Sequence, residues 1–469
     1  MLKILKYGLI GWLVLSVLTA PLYWPYARMV WVFMPFIEKP KFESPADLVE
    51  ARQQDLDYLT TLTRYDRAFD EAEKLAFETA IDAMRLRVAD MSDAAFYLSM
   101  AEAVALADNG HTNISYGPQY REFETIGARL YRFSDGLYVV EAAPDHEAAL
   151  GRRVTAIEGR TTRDVHQNLQ GYRGGNAVWR TLYSTLIIEA PALLNAAGLA
   201  ASAAAVTLDL ETASGDPEQL AFEPRALPDG YKVPGRSAWE TLIPGGASTG
   251  HGPWAHIFSD RTDDLPRYLK APGDVLSYVM EGNGLYIRAL PGVGSKETPI
   301  AKTYKTLLAP YTDESLDYLV VDFRLHDGGD YTRSMAFAKN APKMVKENGQ
   351  VYIITGPNTF SAGIVTVAML KYYAGDKALI VGEPMGDREQ FWAERGTDFQ
   401  LPNSGYYVNY ATGYHDWEKG CKGKRYCFTM NVKHEVPAGS LAPNVLLTQT
   451  FDSYRQGEDV VMDWIGGQR

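Results

Sequence analysis

The chain has 469 residues, of which 46% are apolar and 22% are charged, a balance typical of globular proteins. Its 41 glycines and 25 prolines are spread along the sequence, which excludes collagen-like, coiled-coil and wholly disordered chains. Asp and Glu number 58 against 46 Lys and Arg, and no basic block could neutralise a row of phosphates, so we expect no nucleic-acid partner. This length predicts two or three domains.

Residues 1–30 predict a membrane-targeting segment. Two lysines precede an uncharged run at residues 7–27, which Arg28 closes. As a helix the run would span about 30 Å, the thickness of a bilayer core. Basic residues before the run and aromatic residues at its far end favour a signal anchor with the remainder of the chain outside. A cleaved signal peptide is the alternative, because the most apolar stretch is short. Either way we expect an exported protein, on the periplasmic or extracellular face of a membrane.

Residues 44–112 predict a helical region. One helix start lies at Ser44, which Pro45 and an early acid follow, and another lies at Ser92. The helical pattern stops where an Asn-Gly pair breaks it and presents His111 at a turn.

Residues 124–224 predict a β module made of short strands. The run 150–159 contains a strand of the form V-x-x-I between two glycine turns and is similar to a segment of PDZ domains. The carboxylate-binding loop of those domains is not evident, so a structural β domain is the alternative. Residues 225–274 are rich in Pro, Gly and Ser and predict a connecting segment or a loop that faces the substrate.

Residues 275–469 alternate between strand and helix patterns. Because continuous apolar strands separated by helices occur in parallel sheets covered on both faces, this region predicts an α/β domain. The predicted strands are 285–288, 318–321, 351–354 and 378–381, and the predicted helices are 299–308, 332–345 and 361–373. The fold class is therefore α/β, or α+β over the whole chain.

Cys421 and Cys427 are the two cysteines of the chain. Their spacing suits a small disulfide loop, which agrees with an oxidising exterior. Zinc would need more ligands than two thiols, and His415 and His434 do not form the usual close pairs, so no metal site is expected.

Two loops at the ends of predicted strands carry residues suited to catalysis. In the first, Gly328 and Gly329 free the backbone to aim N–H groups at an anion; the alternative is an ordinary turn. In the second, Ser361 stands at a strand-to-helix turn with small neighbours, Ala362 and Gly363, where a nucleophile is approachable. The alternative for this serine is a helix cap.

Four motifs occur in the order found in the tail-specific, or carboxyl-terminal processing, serine peptidases. They are D-N-G-H-T at 108–112, D-F-R-L-H-D-G-G at 322–329, T-F-S-A-G at 359–363 and V-G-E-P at 381–384. With closing segments at 443–445 and 452–459, the resemblance spans residues 47–464. It implies a ClpP/crotonase-like catalytic core in residues 275–469, preceded by helices and a PDZ-like module, with no metal or organic cofactor.

The proton acceptor differs from that of the Lys-dependent branch of the family, since no lysine follows the G-E pair. Arg388 cannot serve because an arginine side chain stays protonated at neutral pH and has no free lone pair to accept a proton. The resemblance to the tricorn-like branch implies His111 as the general base. For the acid that orients it, Glu435 is the nearest match to that branch and Glu383 is the rival. Either acid could instead form a salt bridge with Arg388 or Lys433.

The targeting segment and the resemblance together predict an exported, membrane-tethered serine peptidase; the resemblance implies that it hydrolyses peptide bonds through an acyl-enzyme on Ser361. His111 would move the proton, and backbone N–H groups of Gly328, Gly329 and Ala362 would hold the oxyanion. The expected partners are a polypeptide substrate and the membrane. Two alternatives stay open: a catalytically inactive member that binds peptides or a partner protein, and an esterase that acts on a small acyl substrate.

Overall fold

The computed structural model describes residues 26–114, 123–211, 215–226, 237–246, 252–291 and 299–468. Most of the predicted targeting segment at 1–30 lies outside these residues, so the choice between anchor and cleaved signal stays a prediction. Across the described ranges, no helix is both long enough and apolar enough to span a bilayer.

Three helices form the amino-terminal region: α1 (Leu48–Leu59), α2 (Glu71–Arg85) and α3 (Asp93–Ala105). The predicted start at Ser92 is confirmed, because its hydroxyl accepts a hydrogen bond from the first turn of α3. The predicted start at Ser44 is wrong. Asp47 caps α1 instead, since its carboxylate accepts a hydrogen bond of 2.8 Å from the backbone N–H of Glu50 and lies at the positive end of the helix dipole.

The second region follows the turn at His111 and consists of short strands and helices. The strands are β1 (Asn113–Ile114), β2 (Thr125–Ile126), β3 (Ala128–Phe133), β4 (Gly136–Ala142), β5 (Arg153–Ile157), β6 (Arg160–Thr161), β7 (Val206–Glu211), β8 (Pro217–Phe222), β9 (Pro224–Arg225) and β10 (Ala255–His256). The helices are α4 (Thr162–Asn168), α5 (Ala177–Ile188) and α6 (Pro191–Ala196). One 7-stranded antiparallel sheet has the order β10–β4–β5–β7–β8, with β3 beside β4 and β6 beside β5.

The predicted connecting segment at 225–274 takes part in this sheet, because its strand β10 pairs with β4. Several apolar side chains in its described part are buried with residues from other parts of the chain. Trp239, Leu242 and Phe258 share a core with Tyr454, which lies close to the carboxyl terminus. The described part of the segment therefore packs as part of the folded body.

A 6-stranded sheet forms the centre of the carboxyl-terminal region. The strands of this region are β11 (Ser277–Met280), β12 (Gly284–Arg288), β13 (Leu316–Asp322), β14 (Val345–Thr355), β15 (Ala378–Gly382), β16 (Gln390–Ala393), β17 (Phe399–Gln400), β18 (Tyr407–Asn409), β19 (Gly413–Asp416) and β20 (Val445–Leu446). The helices are α7 (Ile300–Leu308), α8 (Met335–Asn340), α9 (Ala362–Ala374), α10 (Thr429–His434), α11 (Phe451–Arg455) and α12 (Val460–Gly467). The sheet order is β11–β12–β13–β14–β15–β20, parallel except for β11. The predicted mostly parallel sheet is confirmed.

The predicted helices at 299–308 and 361–373 correspond to α7 and α9. The prediction at 332–345 is wrong in length, because only the middle of it, α8, is α-helical. The residues after α8 form a 3₁₀ turn that contains Pro342. Proline has no backbone N–H and cannot continue the hydrogen bonds of an α-helix.

The turn that carries His111 is fastened to the carboxyl-terminal region. Strand β1, which follows the turn, pairs with β18. The buried carboxylate of Asp66 accepts hydrogen bonds from the hydroxyl of Thr112 (2.7 Å) and from the backbone N–H of Ala411 (3.0 Å). These contacts bring a segment from the first quarter of the chain to the region of Ser361.

The predicted disulfide between Cys421 and Cys427 is present and closes a loop between β19 and α10. Arg28, which precedes α1, lies against this loop. Arg28 donates hydrogen bonds to the backbone carbonyl of Cys427 (3.2 Å) and to the hydroxyl of Thr429 (3.0 Å).

We expect Arg324→Met to lower the free energy of unfolding by about 3–5 kcal/mol, because it leaves two buried carboxylates without their cation. Arg324 donates to Asp322 (2.6 Å) and to Asp459 (2.7 Å), which caps α12, and all three side chains are largely buried. Urea unfolding measures the effect. The control is Lys346→Met, which removes a half-exposed ion pair with Asp317 and should cost less than about 1 kcal/mol. Equal losses for both variants would contradict the prediction.

Candidate active site

Ser361 occupies a strained turn between β14 and α9. Its backbone has φ 51° and ψ −117°, a region that residues other than glycine rarely adopt. Its side chain makes no capping hydrogen bond to the helix, so the helix-cap alternative has no support. The loop is held by Thr359, whose hydroxyl donates to the carbonyl of Phe323 (2.9 Å) and accepts from the N–H of Gly356 (3.0 Å). The turn therefore leaves the Ser361 hydroxyl available.

The glycine pair lies directly beside this serine. Gly328 and Gly329 have φ values of 140° and 103°, which side chains would disfavour. A Cβ placed on Gly328 would lie 3.3 Å from the Cβ of Ser361. Ala362 is the first residue of α9, a position whose N–H has no acceptor within the helix. The structure thus gathers the three predicted oxyanion donors around the predicted nucleophile.

His111 and Ser361 line the same cavity. The imidazole is stacked between Phe360 and Phe391, with ring centroids 4.5 Å and 5.2 Å away. Within the described residues, neither ring nitrogen of His111 has a hydrogen-bond partner. Burial lowers the pKa of His111 to about 3, and the nearby positive groups add to this effect. The ring is therefore neutral near pH 7 and able to accept a proton.

Asp387 is the acid that the structure places beside His111. Its Oδ2 lies 3.8 Å from Nδ1 of the imidazole, and its side chain is buried. Burial raises the pKa of Asp387 to about 7, while the backbone N–H of Arg388 donates to Oδ1 (2.9 Å) and favours the ionised form. In active sites without bound substrate, the hydrogen bond between a catalytic histidine and its acid is often longer than in the substrate complex.

The two acids predicted to orient His111 lie elsewhere. Glu435 is exposed and forms an ion pair of 3.0 Å with Lys422 of the disulfide loop. Glu383 lines a separate cavity with Tyr131 and Arg324, and burial raises its pKa to about 7. The structure brings neither acid to the cavity of His111 and Ser361.

Sequence reasoning missed Asp387, although it follows Glu383 in the same loop. A signal for it exists in the neighbouring turn, at Gly110. A Cβ on that residue would lie 2.7 Å from Oδ2 of Asp387 and 2.9 Å from the ring of Phe360. The glycine before His111 therefore permits the close approach of this carboxylate.

The cavity between His111 and Ser361 has a volume of about 1090 Å³ and mostly apolar walls. Its lining contains predicted site residues and also side chains that were not assigned to a site from the sequence. These include Met29, Phe33, Val365, Phe428 and Met430. Such a chamber can take large apolar groups next to the reacting atoms. Among the described residues, no group of three or more potential ligands is arranged to hold a metal ion.

Mature CPAF is among the solved structures that this chain resembles, with a TM-score of 0.54, 12% sequence identity and coverage of 89% of this chain and 96% of that chain. The photosystem II D1 C-terminal processing protease also matches, with a TM-score of 0.35, 12% identity and coverage of 85% of this chain and 93% of that chain. The tricorn protease matches with a TM-score of 0.33, 13% identity and coverage of 89% of this chain and 36% of that chain. All three are relatives of the tail-specific peptidases. No protein-family model and no curated protein matches the chain. The likeness to CPAF confirms the predicted mixed α/β fold.

We expect Asp387→Asn to stabilise the protein at pH 8 while it impairs catalysis. The pKa of Asp387 is raised from 3.8 to about 7 in the folded protein, so its ionised form destabilises the fold. This destabilisation is complete above pH 7, where the carboxylate is ionised in both states, and it is absent below pH 4, where the carboxyl group is protonated in both states. The variant should therefore gain about 2–4 kcal/mol in unfolding free energy at pH 8 relative to wild type, with little difference at pH 4. Urea unfolding at both pH values measures it.

Glu435→Gln is the matched control for this experiment, because it neutralises an exposed acid outside the cavity. The difference in unfolding free energy between Glu435→Gln and wild type should be the same at pH 8 and at pH 4. A loss of stability in Asp387→Asn at pH 8 would contradict the assignment of a strained, buried carboxylate.

Proposed function

We propose that this chain, which has the fold of mature CPAF, is a serine peptidase that hydrolyses peptide bonds through an acyl-enzyme on Ser361. The observation that carries the proposal is the shared cavity of His111 and Ser361, with Gly329 and Ala362 in its wall. His111 is the general base. Asp387, in place of the acids expected from the sequence, orients its ring.

The reaction follows from these positions. Nδ1 of His111 faces Asp387, which leaves Nε2 to accept the hydroxyl proton as the Ser361 oxygen attacks the carbonyl carbon. The backbone N–H groups of Gly329 and Ala362 donate to the oxyanion that forms, each contributing about 3 kcal/mol to the barrier lowering. His111 then returns the proton to the leaving amine, and a water molecule hydrolyses the acyl-enzyme by the same steps.

Ionised Asp387 favours this direction of proton transfer, whereas burial of His111 opposes it. His111 begins neutral because burial lowers its pKa. Once it holds the proton, the positive ring lies beside the carboxylate of Asp387, and the attraction is strong because the site is shielded from bulk water. Asp387 must be ionised for this stabilisation.

The proposal includes export and the finer domain plan. Residues 1–30 are the anchor or signal, 44–112 the helical region, 124–224 a PDZ-like module, 225–274 the connection and 275–469 a ClpP/crotonase-like core. The disulfide supports an oxidising exterior. The uncharged run near the amino terminus supports attachment to a membrane. The mostly parallel strands of the last region support the form of the core.

A fluorophosphonate probe tests the nucleophile. Wild type should be labelled, Ser361→Ala should not, and His111→Gln should be labelled at least about 100-fold more slowly, because the proton acceptor is lost. Labelling is read by gel fluorescence on protein whose circular dichroism shows a native fold. Ser277→Ala, at an exposed serine of β11, is the control and should label like wild type.

The alternatives give different results in the same assay. A folded wild type that is never labelled indicates a protein that binds peptides or a partner without catalysis. That alternative draws on the absence of a hydrogen bond to either ring nitrogen of His111 among the described residues. Turnover of nitrophenyl esters without cleavage of casein would favour an esterase.

We expect kcat/KM for a peptide substrate to rise with pH through about 7, because ionised Asp387 is needed and its pKa is raised to about 7. A histidine of ordinary pKa would place the rise near 6.5. Glu383 has a similarly raised pKa, so Glu383→Gln is the control and should keep the same profile. Loss of the rise in Glu383→Gln, or its retention in Asp387→Asn, would contradict the role given to Asp387.

A further inference from the structure

Residues 26–36, here called the entry segment, have two unlike sides. Met29 and Phe33 line the cavity that contains Ser361. Trp31 and Phe36 are outside the cavity lining and are 87% and 78% exposed. Val30 is also 51% exposed, so large apolar side chains are concentrated on one short stretch. Exposed apolar side chains concentrated in this way mark a surface that contacts a protein or a membrane.

The entry segment is a fixed part of the cavity wall. The carbonyl of Phe33 accepts a hydrogen bond of 2.6 Å from the hydroxyl of Thr412, and the carbonyl of Pro35 accepts one of 3.2 Å from the N–H of Thr397. Phe33 is buried and meets the ring of Phe428 edge-on at 5.1 Å. These contacts hold the inner side of the segment in place with respect to Ser361.

The chamber behind this wall favours apolar groups. Phe33, Phe391 and Phe428 line it together with Val365, which lies one turn into α9 from Ser361. Burial of a Leu or Phe side chain in such a site favours binding, because its apolar surface leaves water. A polar side chain of equal size would lose its water there without gaining equivalent partners.

The outer side of the entry segment continues the uncharged run at 7–27. Met29 follows Ala27, the last residue of that run, by two positions, which is at most about 7 Å of extended chain. The run has the length and the apolar character needed to cross a bilayer. Aromatic side chains such as Trp31 favour the boundary between lipid and water. A bilayer is therefore the occupant that this surface fits.

We propose that the entry segment seats the catalytic cavity on a membrane surface, and that the substrates are polypeptides with apolar segments lying at that surface. A large apolar side chain next to the scissile bond enters the chamber between Phe33 and Ser361. This inference rests on the proposed peptidase function and names its substrate class.

Contact with lipid is tested on the full-length chain in vesicles of phosphatidylcholine and phosphatidylglycerol whose acyl chains carry bromine, a quencher of tryptophan fluorescence. Wild type should lose more fluorescence than Trp31→Phe, because Trp31 is in reach of the bromine. Trp464→Phe on α12 is the control and should be quenched to the same extent as wild type. Equal quenching of wild type and Trp31→Phe would overturn the membrane contact.

The substrate class is tested with soluble, internally quenched peptides that carry Leu or Ser next to the scissile bond. Wild type should prefer Leu, and Met29→Gln, which changes the inner side, should reduce the Leu/Ser ratio of kcat/KM about tenfold. Trp31→Gln, which changes the outer side, should leave that ratio unchanged. An unchanged ratio in Met29→Gln, or no preference in wild type, would overturn the assignment of the chamber.

A third reporter carries the Leu sequence and an appended apolar segment that inserts into the vesicles. Wild type in vesicles should cleave it at least tenfold faster than the soluble Leu peptide, and Trp31→Gln should lose most of this advantage. If wild type and Trp31→Gln show the same rate advantage for the inserted reporter over the soluble Leu peptide, the role of the entry segment in seating the cavity on the membrane is overturned. Failure of the peptidase function itself is distinguishable, because wild type would then cleave no reporter and would not be labelled by a fluorophosphonate in detergent.

Discussion

The candidate active site depends on one buried carboxylate, Asp66. Its Oδ2 accepts hydrogen bonds from Thr112, next to His111, and from Ala411, in the region that carries Ser361. Burial raises the pKa of Asp66 to about 6, which reflects the cost of removing its charge from water, and the hydrogen bonds offset part of that cost. Two segments this far apart in sequence lose much conformational freedom on meeting, so a specific fastening is needed to keep them together. Together with the pairing of β1 and β18, this contact holds the His111 turn next to the region of Ser361.

His111 and Asp387 are each held where the neutral form is favoured. In most parts of a protein, burial of two ionisable groups would only lower the free energy of unfolding. Here the strongest interaction between the two arises when His111 takes the proton of Ser361, because the charge then appears beside an ionised carboxylate in a shielded site. The burial of these two groups therefore lowers the stability of the resting fold, while their interaction stabilises the transition state.

The sequence allowed the main sheet to be predicted, because β13 and β14 carry continuous apolar runs and the helices between them have clear signals. Ser361 could be found since a small-residue turn between strand and helix is a local feature. Asp387 could not, because its neighbour His111 comes from another part of the chain and their contact depends on the fastening at Asp66. Glu435 matched a family pattern, yet its backbone, with φ 39°, ends α10 and directs its side chain to Lys422. Strand β10 was missed because two residues show no alternation.

The position of the disulfide connects the compartment with the shape of the cavity. The carbonyl of Cys427 accepts a hydrogen bond from Arg28, whose guanidinium also lies 5.1 Å from the ring of Phe33. The cross-link to Cys421 restricts the loop that carries this acceptor. An acceptor that moves less holds the guanidinium more firmly, and with it the entry segment that forms one wall of the chamber. In an oxidising environment the same bond that stabilises the loop therefore also preserves the binding surface next to Ser361.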